Sequence, residues 1–237
     1  MRAIGKMFAY MVKQITQEMM MVMLAIAPFL AGLFFKAGVP FLEKNILFRY
    51  GLEEILVPYY ELFSWLIAML TGMLFAFVGG LVVLGEIDDH VAKYIIVTPV
   101  GMRGYLSSRI IIPALISGVV ALICVPTFAL VPIGLTKLVV MVVSTMLSGI
   151  VTALLVVAIS TNKVEGMAVG KLSGLFGMTF FVPLFVKGGI KYVFSLFPMF
   201  WVGEWSEINN LWCLLFATVE YVLWIYVLFG KFRKKMG

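Results

Sequence analysis

The chain has 237 residues, 63% of them hydrophobic and 13% charged, with a net charge of +6 and a mean hydropathy of +1.10. Soluble domains carry roughly 25% charged residues, so this composition excludes a water-soluble globular fold and selects an integral membrane protein. Its cations are scattered in short segments between apolar runs, which excludes a nucleic-acid surface, since that needs basic residues gathered on one exposed face.

Residues 1–17 place Ile4, Met7, Phe8, Met11, Val12 and Ile15 at helical spacing, with Arg2, Lys6, Lys13 and Gln14 between them. That pattern predicts an amphipathic helix lying along the membrane surface, or an N-terminal extension of the first span. The same stretch lacks an apolar core followed by a small-residue cleavage site, so it is not read as a removable signal peptide. Apolar runs of about 20 residues, the length that crosses a bilayer, predict spans over 18–37, 58–84, 109–132, 138–160, 167–186 and 209–230. The polar stretch 85–108 separates the second span from the third. Residues 187–208 hold Gly188, Gly189 and Pro198 among Phe194, Phe197, Phe200, Trp201 and Trp205, too broken to span. They predict an aromatic element at headgroup level or a re-entrant one. The expected fold is therefore an all-α integral membrane protein forming a single transmembrane domain over 1–237.

Six spans put both termini on one side. That side receives twelve of the 18 Lys and Arg residues and the other side six, which predicts cytoplasmic termini in a bacterial-type inner membrane. The halves 1–118 and 119–237 share no motif, unlike the internal repeats of many secondary transporters. Six helices also enclose little space, so a second subunit, identical or not, is expected.

The informative motif runs from Leu84 to Leu106. Glu86, Asp88 and Asp89 sit where a long span leaves the membrane, Val91 to Val97 suits a short amphipathic helix, and Thr98-Pro99 stops it because a residue before proline avoids helical geometry. A short surface helix closed by a proline turn suits the docking of another protein.

This run resembles the coupling region of the type-2 ABC exporter permeases. The matching elements are Glu86 at the end of an apolar span, the Asp88-Asp89 pair, Tyr94 to Val97, Thr98-Pro99-Val100 and Tyr105-Leu106. The family often has Gly-Thr after the acidic pair, where this chain has His90-Val91. The resemblance implies a cytoplasmic coupling helix that fits a groove on a separate ABC ATPase. Glu86, Asp88, Asp89, Lys93, Tyr94, Thr98, Pro99, Arg103 and Tyr105 would form the contact region, with the three acids meeting basic groups on the ATPase or on the N-terminal helix. It further implies that magnesium-ATP is held by the ATPase and that this chain binds no cofactor. The string Gly166-Met-Ala-Val-Gly170-Lys171-Leu172 is one residue short of a phosphate-binding loop and lacks its hydroxyl, so it is read as small residues for helix packing.

Glu220 falls inside the last span, where a carboxylate is costly and a functional candidate. Small residues share one face in span four (Ser144, Ser148, Gly149, Thr152) and in span five (Gly170, Ser173, Gly174, Gly177), which predicts close helix contacts within the chain or across a dimer. Cys124 and Cys213 lie in apolar runs, and the single His90 has no second His, so neither a metal site nor a catalytic set is expected. The leading expectation is a permease exporting a hydrophobic or amphipathic compound (drug, peptide or lipid-like). The alternatives are a non-transporting sensor or immunity subunit, and an ion-coupled transporter using Glu220.

Overall fold

The computed structural model describes residues 2–47, 55–98 and 101–236. The described residues are helical and contain no strand, and six helical segments are long and apolar enough to cross a membrane. Helix α1 (Arg2–Gln17) ends where Glu18 takes an extended backbone, and α2 (Met19–Leu42) begins at the next residue. Thus α1 is a separate element and not an extension of the first span. Its apolar side is not simply laid on lipid: Phe8, Met11 and Ile15 pack on Met21 of α2 and on Val78, Leu81 and Val82.

Those valines and leucine belong to α3 (Tyr60–Asp88), the central helix, which packs on most other spans. It is longer than the expected 58–84 and carries Glu86 in its last turn. After α4 (Val91–Ile96) comes α5 (Gly101–Leu106), which continues through a π-helical stretch, Ser107–Ile111, into α6 (Ile112–Phe128). The third span thus begins at Gly101, eight residues before its expected start at 109. Apolarity alone put the boundary too late, because the helix also takes in Arg103, Ser107 and Ser108 ahead of Arg109. Pro113 sits just after the π-helical stretch, in the first turn of α6, where a missing N–H is tolerated.

Helix α7 (Leu135–Ile159) lies against α3, α6 and the last span. Gly72 of α3 lets the Thr145 carbonyl oxygen of α7 approach, and Gly149 in turn meets the Gly72 carbonyl and Ala76. The Thr145 hydroxyl donates to Ala68 O at 3.0 Å. The small face of span four is therefore used within the chain, as a close backbone-to-backbone seam of the kind small residues permit in membranes.

Span five starts as α8 (Lys163–Met178), capped by the Asn162 side chain, which accepts from Glu165 N–H at 2.9 Å while Glu165 accepts from Thr161 N–H at 2.7 Å. This reciprocal pair satisfies amide donors left free at a helix start. The Gly166–Lys171 string lies inside this helix, with Gly166 against Leu84 and Gly170 against Phe77. A 3-10 turn, Thr179–Phe181, leads to α9 (Val182–Phe185).

The broken segment folds as a 3-10 turn, Gly189–Phe194, followed by α10 (Pro198–Ile208). Helix α10 packs against its neighbours in the bundle. Met199, Phe200, Val202, Gly203, Glu204 and Trp205 are buried, and Gly203 sits so close to the Phe180 carbonyl oxygen that no side chain fits. The chain ends in α11 (Leu211–Met236), which buries Cys213, Ala217, Tyr221, Leu228 and Phe232 along one stripe. Both termini lie at one end of the bundle: Lys235 donates to the carbonyls of Val157 and Ser160 at the end of α7, and α1 packs near the end of α3.

Candidate coupling site

At the end of the bundle that bears the termini, the expected coupling residues divide into a buried set and an exposed set. Glu86 and Arg109 are each 1% exposed and meet at 2.5 Å through Arg109 Nη2 and Glu86 Oε1. Arg109 Nε lies 3.1 and 3.2 Å from the two carboxylate oxygens, so the contact is forked. The Tyr105 hydroxyl donates to Glu86 Oε2 at 2.8 Å, and Arg109 Nη1 donates to the Met7 carbonyl of α1 at 2.6 Å. Forked guanidinium–carboxylate contacts are among the strongest hydrogen bonds in proteins. Burying both charges is tolerable here because the groups left over also find partners.

The local sequence explains the placement. Tyr105 and Arg109 are four residues apart, so they share one side of a helical segment and converge on the single carboxylate. Gly79, about two turns before Glu86, lets the Arg109 backbone come against α3 beside Met11. Glu86 and Tyr105 thus face inward, and Glu86 meets an internal arginine and not a basic side chain of the N-terminal helix. Arg109, noted in the sequence only as a positive charge, is the residue missed. Its four-residue spacing from Tyr105 was the available signal.

Asp88 and Asp89 are exposed. Asp88 Oδ2 accepts from the Lys163 N–H at 3.0 Å, at the start of α8, and Lys163 Nζ pairs with Glu18 at 2.5 Å. A second set of polar contacts therefore joins the α1–α2 junction, the end of α3 and the start of α8. His90 follows with φ = 60°, a left-handed conformation that reverses the chain into α4.

Helix α4 turns Ala92 inward, with Ile95 and Ile96 packed on the core, and leaves the other side open. Tyr94 is 74% exposed and Val97 82%, flanked by exposed Val91 and Lys93. Thr98 closes the helix by donating to Ile95 O at 2.6 Å. Arg103 is also exposed. Pro99 and Val100 lie outside the described residues. Between α4 and the ends of α7 and α11 is a polar hollow of about 330 Å³, bordered by Asp88, His90, Lys93, Thr161 and Lys235.

Two apolar spaces lie deeper. One of about 170 Å³ runs between α3 and α8, lined by Leu66, Met73, Phe77, Gly170, Gly174 and Met178. It shares Met69, Met73, Ser173 and Gly177 with a small cavity of about 30 Å³ that reaches Tyr221. There the Tyr221 and Ser148 hydroxyls are 2.7 Å apart. On span five Gly170 and Gly177 face α3, while Gly174 faces open space. Glu220 is half-buried on α11 and, among the described residues, has no hydrogen bond or ion pair. Glu204, which the sequence did not single out, is buried on α10 and pairs with Lys191 at 2.7 Å. That hydrogen bond raises the Lys191 pKa above its usual value. No group of His, Cys, Asp and Glu among the described residues is arranged to hold a metal ion.

A family model described as fluoroquinolones export permease protein Rv2686c-like matches residues 11–229. The chain is 28% identical over 236 aligned positions to the fluoroquinolones export permease protein MT2760 of Mycobacterium tuberculosis (strain CDC 1551 / Oshkosh), covering 92% of this chain and 89% of that one. It is similar to the same extent to the fluoroquinolones export permease protein Rv2686c of Mycobacterium tuberculosis (strain ATCC 25618 / H37Rv), with 28% identity and the same coverage. No solved structure matches the chain. With six apolar helices and a family match along nearly its whole length, this multi-pass membrane protein belongs to the Rv2686c-like fluoroquinolones export permease family.

Proposed function

We propose that this chain is the membrane half of an ATP-driven exporter, with its termini in the cytoplasm of a bacterial-type cell and its ATPase on a separate chain. The observation that carries the reading is the exposed apolar side of α4, Tyr94 and Val97, held at the termini end by an internal ion pair. Two such apolar side chains, on α4 and at the residue that ends it, cost solvation unless a partner covers them. Asp89, Lys93 and Arg103 supply charge around that patch for an ABC ATPase that itself binds magnesium-ATP.

The buried pair supports a lever. A push on α4 is felt by α3, which bears Glu86, by the start of the third span, which bears Tyr105 and Arg109, and by α1 through Met7. Because each link is a hydrogen bond to a charged group, and those to Glu86 are buried, the three elements move as one body. The contact from Asp88 to the start of α8 extends the push to the far wall of the α3–α8 groove. Methionine side chains fill irregular space and repack easily, which suits a groove that accepts varied apolar compounds. The export names of the curated relatives favour fluoroquinolones or similar flat amphiphiles as cargo moved out of the cytoplasm or inner leaflet. A second permease subunit facing this one would enclose the path.

The test is affinity capture of the tagged chain from native membranes, beside a Tyr94→Ala/Val97→Ala variant. Recovery of an ATPase with the wild type and its loss with the variant is expected. Failure to recover any ATPase across several mild detergents overturns the reading, and a variant that retains it moves the docking site away from α4.

A further inference from the structure

Glu220 follows Leu211 by nine helical positions, which places it about 13 Å along α11 at the rise of 1.5 Å per residue. That is near the middle of a hydrocarbon layer roughly 30 Å thick. A carboxylate at that depth is expensive, and such groups normally face a partner or a water-filled cavity. Among the described residues Glu220 has neither a hydrogen bond nor an ion pair, although every other glutamate within the described spans has one.

Its surroundings on the helix are aromatic. Phe216 and Trp224 are one turn before and one turn after Glu220, on the same ridge. Phe216 packs on Trp201 of α10 with ring centres 4.9 Å apart, and Trp224 packs on Phe197 at 6.1 Å and Phe176 at 5.3 Å. Trp224 Nε1 donates to Leu196 O and Trp201 Nε1 to Ser195 O, so the rings are locked to the hairpin that carries α10. Phe216 remains 46% exposed, which leaves this ridge open to a molecule arriving from the membrane. A carboxylate between two held aromatic rings is the arrangement that recognises an organic cation: the acid supplies charge in a medium that screens it little, and ring faces attract the same positive charge.

We infer that Glu220, Phe216 and Trp224 form a binding site for the cationic end of an amphiphile, an ammonium or phosphonium carried on an apolar body. The assignment rests on the exporter reading for its physiological use, but not for its binding chemistry. A ligand that brings its own positive charge offsets the cost of holding a carboxylate at that depth. A neutral or anionic molecule of the same shape does not.

The test compares two tetrahedral probes of nearly equal size and opposite charge, tetraphenylphosphonium and tetraphenylborate, binding to the purified full chain in non-ionic detergent. Wild type, Glu220→Gln and Glu220→Asp are measured by equilibrium dialysis. Glu220→Gln should weaken the phosphonium by roughly tenfold or more, Glu220→Asp should keep part of it, and tetraphenylborate should bind no worse to Glu220→Gln than to wild type. Phosphonium binding unchanged in Glu220→Gln overturns the inference, as does equal loss of both probes, which would make Glu220 a structural residue. Wild-type protein that shows no phosphonium binding also overturns it, without reference to any variant. The measurement uses no ATPase, so a failed capture of the ATPase leaves this result standing, and a negative result here leaves the exporter reading standing.

Discussion

Glu86 and Arg109 stand 23 positions apart in the chain and 2.5 Å apart in the fold, each 1% exposed. A buried pair of this kind contributes little net stability compared with apolar residues, but removing one member strands the other. Arg109→Met should therefore destabilise the protein by about 3–5 kcal/mol, and the double variant Glu86→Gln/Arg109→Met should recover a large part of that loss. Thermal unfolding in detergent, arranged as a double-mutant cycle, reads both numbers. Independent, additive losses would show that the two side chains do not depend on each other.

Gly203 and Gly174 offer a matched contrast. A methyl group at Gly203 overlaps the Phe180 carbonyl, whereas one at Gly174 meets nothing within 4 Å. Gly203→Ala should cost about 1–3 kcal/mol through overpacking, and Gly174→Ala should be neutral or slightly stabilising, since alanine loses less backbone freedom. The check is the melting temperature of each variant by intrinsic tryptophan fluorescence.

His90 holds φ = 60°, a conformation in which most side chains crowd the backbone. His90→Gly should be neutral or stabilise by up to about 1 kcal/mol, and His90→Val should destabilise and loosen α4. Hydrogen exchange at the amides of 91–96 would report the loosening. Faster exchange in the glycine variant would contradict the strain argument.

The Lys191–Glu204 pair makes the hairpin before the last span sensitive to alkali. Because the hydrogen bond to Glu204 raises the Lys191 pKa, its stabilisation is complete below the unfolded lysine value, about 10.4, and fades as pH rises through the higher folded value. Stability of the wild type should fall over that alkaline range more steeply than that of Lys191→Met, which has no proton there to lose. Parallel curves for the two proteins would remove the pair from the account.

Class and span number were legible from local sequence, because crossing a bilayer requires a run of apolar residues and that requirement is met within each segment separately. The short helix at Val91–Ile96 was legible for the same reason, through the Thr98-Pro99 stop. Glu86, by contrast, reads in the chain as an acid at a membrane exit, and only packing shows that it turns inward to Tyr105 and Arg109. Lys163 likewise finds Glu18 across 145 positions, and Glu204 is masked in sequence by the aromatic residues that enclose it. The small faces of α7 and α8 were evident, but that α3 is what they meet depended on where the helices cross. Apolarity and periodicity act along one segment, whereas the partner of a buried charge is chosen by the whole bundle, where leaving a charge unmatched costs more than bringing distant residues together.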